Sequence, residues 1–382
     1  MYFMVYRLIL CSSCTDGAKM IIISFVSRLL LYTFAFTAVK TVIDLKKNPV
    51  KRFVVLLSLL ILLVSCNRNP LKINVSAVSV DLKIKHLDVD LLKLNQDQIQ
   101  EALPELKRSY GEFFDIFTYR MIGIGGQEQE DFHELLSAFV SDTVLVRKLK
   151  PQVSEKIDTL RLRNDLEDAF RHYRYYFPQK PVPVIYTCIS GLNQSVVTST
   201  NLIGISLDKY LGVTSRFYEQ MALPLYKRRN MHPAKIVPDA LYAWALTEWP
   251  KADNANSLLS RMIQEGKTMY FLDAMLPEVH DTLKIGFTRK QIEFCKKNEA
   301  SMWTYLAEHK LLFSTDRMGT KSYTDDGPYT SSFGNQSPAR TGVWLGWQIV
   351  RSYMEQHPEV KLPDLMDNPD YQGILNQSGY QP

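Results

Sequence analysis

Seven histidines could supply a metal ligand or a base: His86, His133, His172, His232, His280, His309 and His357. Two imidazoles four residues apart would share one helical face and could hold zinc, and no pair here has that spacing. His133-Glu134 opens like a zinc-protease helix, but Ser137 stands where the second His belongs. Gly266-Lys267-Thr268 ends like a phosphate-binding loop, yet Arg261 occupies the position of that loop's first glycine. Gly191 to Ser195 is no nucleophile elbow, which would need Ser at Asn193. There is no dinucleotide fingerprint and no cysteine cluster for zinc, so no cofactor is expected.

Polar side chains among aromatics remain. Glu265, Lys267, Tyr270 and Asp273 fall on one amphipathic stretch, and Arg340, Trp344, Trp347, Arg351 and Tyr353 on another. They read first as core aromatics with a solvated charged face. As a site, Glu265, Lys267, Arg340, Trp344, Trp347 and Arg351 would line a cleft or docking surface, since Trp and Arg are common interface anchors.

Charge is unevenly placed. The 382-residue chain has a formal net charge of +5, but residues 1–66 carry +6 and the rest −1. The folded part is not basic, which argues against nucleic acid as a partner. Within the basic leader, Lys46, Lys47, Lys51 and Arg52 precede the apolar run 53–64, FVVLLSLLILLV. That run has the length of a signal-peptide core and is too short to span a bilayer. It leads into Leu63-Val64-Ser65-Cys66, which resembles the lipobox of bacterial lipoproteins. The expectation is cleavage before Cys66, acylation of its thiol and new N-terminus (palmitate-type chains), and stable membrane anchoring by several acyl chains. The alternative is a buried apolar segment that ends in Cys by chance. The division expected is 1–45 as a start called too early or an extra leader, 46–65 as signal peptide, 66–72 as lipidated Cys and tether, and 73–382 as one domain. Cys188 and Cys295 allow one disulfide or two buried thiols, the thiols being the simpler reading.

The elements that must position these residues follow from periodicity. Residues 73–84 alternate in part and predict a strand. Helices are expected over 97–109, 128–148 and 155–176, the last stopped by Pro178, Pro181 and Pro183. Runs 184–189, 195–200 and 202–207 predict a small β-meander. Further helices are expected over 234–249 and 256–273, from a capping box at Thr288-Arg-Lys-Gln291 to about Lys310, and around Val343 to Met354. The fold class is α+β, a mostly helical single domain.

The chain also resembles a known family, the gliding motility-associated lipoprotein GldB of Bacteroidetes. The resemblance rests on Tyr175-Tyr-Phe-Pro178, Ile203-Gly-Ile-Ser-Leu-Asp-Lys-Tyr-Leu-Gly212, Leu258 to Lys267 with Met269-Tyr-Phe271, Pro338 to Met354 and Ser378-Gly-Tyr-Gln-Pro382. It covers essentially all of 66–382. It implies an envelope lipoprotein linked to gliding motility and its protein-secretion machinery, with envelope proteins as partners. Motility of the host is not implied, since many members occur in bacteria that do not glide. The family is in turn distantly similar to zincin-like metallopeptidases. In that likeness 202–207 would be the edge strand and Glu265-Gly266 the later Glu-Gly, but 236–249 contains no His. The expected scaffold is thus zincin-like with a degenerate metal site. Asn67 in place of Asp, and no acidic tract after Cys66, point to the outer membrane and its periplasmic face. A non-catalytic binding role is expected; the alternative is a peptidase-like hydrolase with a non-standard site.

Overall fold

The computed structural model describes residues 69–251 and 256–382. Cys66, the leader 1–65 and most of the tether lie outside these residues.

Three strands run parallel: β1 (Ile84–His86), β2 (Val184–Cys188) and β4 (Leu202–Ser206). Between the last two in sequence, β3 (Val196–Ser199) pairs antiparallel with β4, and the sheet order is β1-β2-β4-β3. The expected meander is therefore corrected. Residues 184–188 do not pair with 196–199; β2 lies beside β4 in parallel. All five β4 residues and four of five in β2 are buried. Such continuous burial belongs to parallel strands covered on both faces, and the connection through 189–201 is long enough for the crossover. The β4 backbone passes close under Phe113, whose ring lies 2.3 Å from where a Cβ on Gly204 would stand. The strand expected over 73–84 is also corrected: only Ile84–His86 joins the sheet. Leu82 is buried and Val80 packs on the core, both without ladder partners, so packing rather than pairing uses the alternation.

The longer helices between β1 and β2 are α1 (Ile99–Tyr110), α2 (Phe132–Ser141) and α3 (Thr159–Tyr176). The helix expected over 128–148 ends at Ser141, because the Asp142 carboxylate accepts from the Leu145 amide and opens a new turn. Asp158 caps α3, its carboxylate accepting from the Arg161 amide at 3.0 Å.

After the sheet, the helices that build and position the site are α4 (Ile236–Glu248), α5 (Leu258–Met275), α6 (Asp281–Ile285), α7 (Arg289–Glu308), α8 (Thr341–Gln356), α9 (Leu362–Asp367) and α10 (Tyr371–Gln377). The capping box at Thr288 is present, with Thr288 and Gln291 satisfying each other's backbone amides. α6, α9 and α10 have no counterpart among the helices expected from periodicity.

α5 is the axle of this half. Every residue of α5 except Arg261 and Glu265 is buried. Its closest partner is α8. A Cβ on Gly266 would stand 2.2 Å from the Gly346 carbonyl oxygen, and one on Gly346 would stand 1.8 Å from that of Met262. The glycines thus let two backbones touch. α4 packs against α5 on one side and β3 on the other. Residues 69–382 make one compact unit with a continuous apolar core.

Candidate functional site

A half-buried corner of α5 carries Glu265. Its Oε2 accepts the Tyr242 hydroxyl from α4 at 2.6 Å. The Arg340 guanidinium lies 5.8 Å from the Tyr242 ring centroid. Arg340 caps α8 with φ +60°, in the left-handed region, which is costly for a residue with a side chain. That turn aims the side chain back towards α4 and α5. There its Nη1 donates a long bond of 3.5 Å to the Ile285 carbonyl and stands 3.8 Å from Asp326 Oδ1. One turn earlier on α4, Asp239 accepts Tyr210 at 3.1 Å and pairs with Lys235 at 2.7 Å. Burial works against the Arg340 charge, but Tyr242, Glu265, Asp326 and Asp239 outweigh it and raise its pKa. Burial, then the Glu265 charge, pushes the Tyr242 phenol up, so it stays a proton donor.

Glu265 and Arg340 are therefore brought together, and Tyr242 joins them. The other four residues of the expected cleft point elsewhere. Two residues along a helix turn the side chain by roughly 200°. Lys267 accordingly leaves the Glu265 side and is 2% exposed. Its Nζ donates to the Asn368 carbonyl at 2.8 Å, 5.6 Å from the Tyr371 ring centroid. Burial pulls its pKa down to about 8. Trp344 donates to Glu299 at 2.9 Å, and the Tyr380 hydroxyl donates to the same carboxylate at 2.8 Å. Trp347 donates to buried Asp273 at 2.8 Å, and Arg351 stacks 3.8 Å from the Trp347 ring centroid. Arg351 grips Asp273 with Nε and Nη2 at 2.7 and 2.8 Å, and Lys284 adds 2.8 Å. Asp273 is thus fully satisfied, which is what a buried carboxylate requires. Trp344, Trp347 and Arg351 hold the core rather than line the cleft.

A second polar cluster, missed in the sequence, sits past the carboxyl ends of β2 and β4. Buried Asp208 accepts from Ser206 Oγ at 2.6 Å and from the Ser190 and Leu192 amides at 3.3 and 2.5 Å. Burial raises its pKa despite these donors. It fixes the 190–194 loop, in which Leu192 has φ +71°.

Among the described residues no group of three or more His, Cys, Asp or Glu could hold a metal ion. Among them too, no helix is long and apolar enough to cross a membrane. Cys188 and Cys295 are both buried and free.

The family described as gliding motility protein GldB matches residues 68–382. This chain belongs to that family. The match starts two residues after Cys66 and takes in the whole described unit, so the Glu265–Tyr242–Arg340 cluster lies within the GldB region. The protein is accordingly related to gliding motility. No curated protein and no solved structure matches it.

Proposed function

We propose that this protein is an outer-membrane lipoprotein, anchored through Cys66 at the periplasmic face. In this reading it serves the gliding and secretion machinery by binding a partner or ligand rather than by catalysis. The GldB match supports the motility link, and the lipobox-like run into Cys66 supports the anchor.

One observation carries the binding role. The partly exposed carboxylate of Glu265 already accepts the Tyr242 phenol, with the Arg340 cation stacked over the same ring. A carboxylate engaged in this way is poorly placed to activate a water, whereas a fixed Arg–Glu–Tyr set with a strained cap is well placed to recognise a polar group. A distant zincin-like ancestry is part of the proposal. An antiparallel edge strand, a helix packed against it and a second helix bringing Glu265 to the first all support it. The edge strand is β3, not the 202–207 run expected from the sequence, and α4 carries Tyr242 but no His.

Three experiments test this. The soluble domain should show no stoichiometric zinc and no peptide cleavage; zinc together with cleavage abolished by Glu265→Gln would instead establish the hydrolase reading. In a deletion strain, Glu265→Gln and Arg340→Ala should be exported and lipidated yet fail to restore protein secretion. Full restoration by both variants would remove the binding role from this cluster. For the anchor, Cys66→Ser should take up no metabolic lipid label; continued labelling and cleavage before position 66 would refute it.

A further inference from the structure

Arg340 is held in a costly backbone conformation and is left short of partners. Its φ lies in the left-handed region, and its side chain is only 20% exposed. A guanidinium has five donors. Among the described residues its one hydrogen bond is the 3.5 Å contact from Nη1 to the Ile285 carbonyl. Asp326 Oδ1, at 3.8 Å, is too far to accept, and the Asp326 side chain is largely in solvent. Glu265 accepts Tyr242 and forms no ion pair with Arg340. A mostly covered cation with free donors, on a strained backbone, points to a group that completes it.

Arg340 opens on a recess of about 50 Å³, bordered by Arg229, Asn230, Gln291 and Asp326. The Asn230 amide sits on Gly286, where a Cβ would stand 2.8 Å from its Nδ2. Gln291 turns its Oε1 to Thr288, which leaves its amide nitrogen as a donor. Neither the Arg229 nor the Asn230 side chain has a hydrogen-bond partner among the described residues. A second recess, of about 230 Å³, shares Arg229, Asn230 and Gly286 and adds Arg289 at the start of α7. Arg229, Arg289 and Arg340 thus face one carboxylate, Asp326, and the positive end of α7 adds to their field. Burial, then the Lys235 charge, lowers the pKa of His232 in the second recess, so it is neutral at pH 7. Residues 67–382 together carry −1, so this basic, donor-rich corner is a local feature.

We infer that this corner binds an acidic peptide segment of a partner protein, with one carboxylate seated on Arg340 and a second held between Arg229 and Arg289. The smaller recess holds a carboxylate but not a ring. A planar carboxylate accepts two parallel N–H bonds from a guanidinium. A phosphate dianion fits less well, because it brings a second negative charge next to Asp326. The two adjoining recesses, each with its own arginine, favour a chain that carries several carboxylates over a single small acid. The inference deepens the binding role proposed above and rests on it.

The test follows hexaglutamate, labelled with an uncharged dye, by fluorescence anisotropy on the full-length protein in non-ionic detergent. Arg229→Gln, at an exposed position, and Arg340→Gln should each weaken binding about tenfold. Arg120→Gln removes an exposed arginine outside both recesses and should leave binding unchanged. Equal weakening by Arg120→Gln, or no binding by the native protein, would overturn the inference. Glutarate should displace the peptide only at much higher concentration. Glutarate that binds as tightly would overturn the peptide assignment, and stronger displacement by inorganic phosphate would overturn the carboxylate assignment. If one of these failures is found while Glu265→Gln and Arg340→Ala still do not restore secretion, the binding role stands without this ligand. If both variants restore secretion, the binding role falls and this inference with it.

Discussion

At the scale of single residues, the corner of α5 shows how position on a helix decides between a core and a site role. Glu265 and Lys267 are two residues apart, and that spacing sends one to the Tyr242 corner and the other into the core. Removing the phenol in Tyr242→Phe leaves the Glu265 carboxylate one donor short. The loss should be about 1–2 kcal/mol in urea unfolding. Lys267 gives a pH signature. Its folded pKa, down to about 8, lies below the ordinary 10.5, so between these values the unfolded chain binds more protons than the folded one. Stability from this group is therefore reduced below pH 8 and recovers as pH rises towards 10.5. Relative to Lys267→Met, the native protein should gain on the order of 3 kcal/mol across that window, read as the difference between two pH series of urea melts. A flat difference would show that Lys267 is not buried as a cation. The thiols make a simpler case: burial raises the pKa of both Cys188 and Cys295, so neither should react with a thiol reagent until the protein unfolds.

At the scale of elements, the crossing of α5 and α8 governs the helical half. The Trp and Arg side chains of α8 reach their partners because Gly266 and Gly346 let the two backbones meet. Gly346→Ala would drive a methyl group into the Met262 carbonyl, which cannot retreat within its own helix. Destabilisation of about 3 kcal/mol or more is expected in thermal or urea unfolding, against about 1 kcal/mol for removing the α7 cap in Thr288→Ala. Similar small losses from both would mean that the helices can separate without penalty. The glycines are visible in the sequence, but their purpose is not. Gly266 resembles the glycine of a metallopeptidase Glu-Gly pair, and in the fold it serves a backbone contact.

At the scale of the whole molecule, the C-terminal segment closes the helical half. The Asn368 carbonyl accepts Lys267, Asp367 accepts the Trp249 indole at 2.9 Å, the Ser378 carbonyl accepts Ser352 at 2.7 Å and Tyr380 reaches Glu299. Truncation after Lys361 would strip partners from α4, α5, α7 and α8 together. The expected product is a protein that binds a hydrophobic dye and shows no cooperative melt. A truncated chain with a sharp, native-like melt would show the segment to be an appendage. The described unit is tied down near both of its ends, by Leu71 on the core and the Lys72–Glu278 pair at one and by Tyr380 on Glu299 at the other.

Local signals settled whatever depends on neighbours in the chain. The Thr288 capping box, the stop of α3 near Pro178 and the helices over 236–248 and 258–275 were all legible, because each is decided within a turn or two of backbone. The long stretches shared with the GldB family carried the family itself. Strand order was not legible, since β2 passes its sequence neighbour β3 to pair with β4 and periodicity carries no record of partners. The site was half legible. Glu265 and Arg340 stood out by type, but Tyr242 reads as one more aromatic in an apolar helix, and 75 residues separate Glu265 from Arg340. Only the α5–α8 crossing and the left-handed cap at Arg340 bring that cation back to the α4–α5 corner. The same crossing brings Trp347 and Arg351 onto Asp273, because a buried carboxylate needs every donor it can reach, while Trp344 turns in to Glu299 on α7.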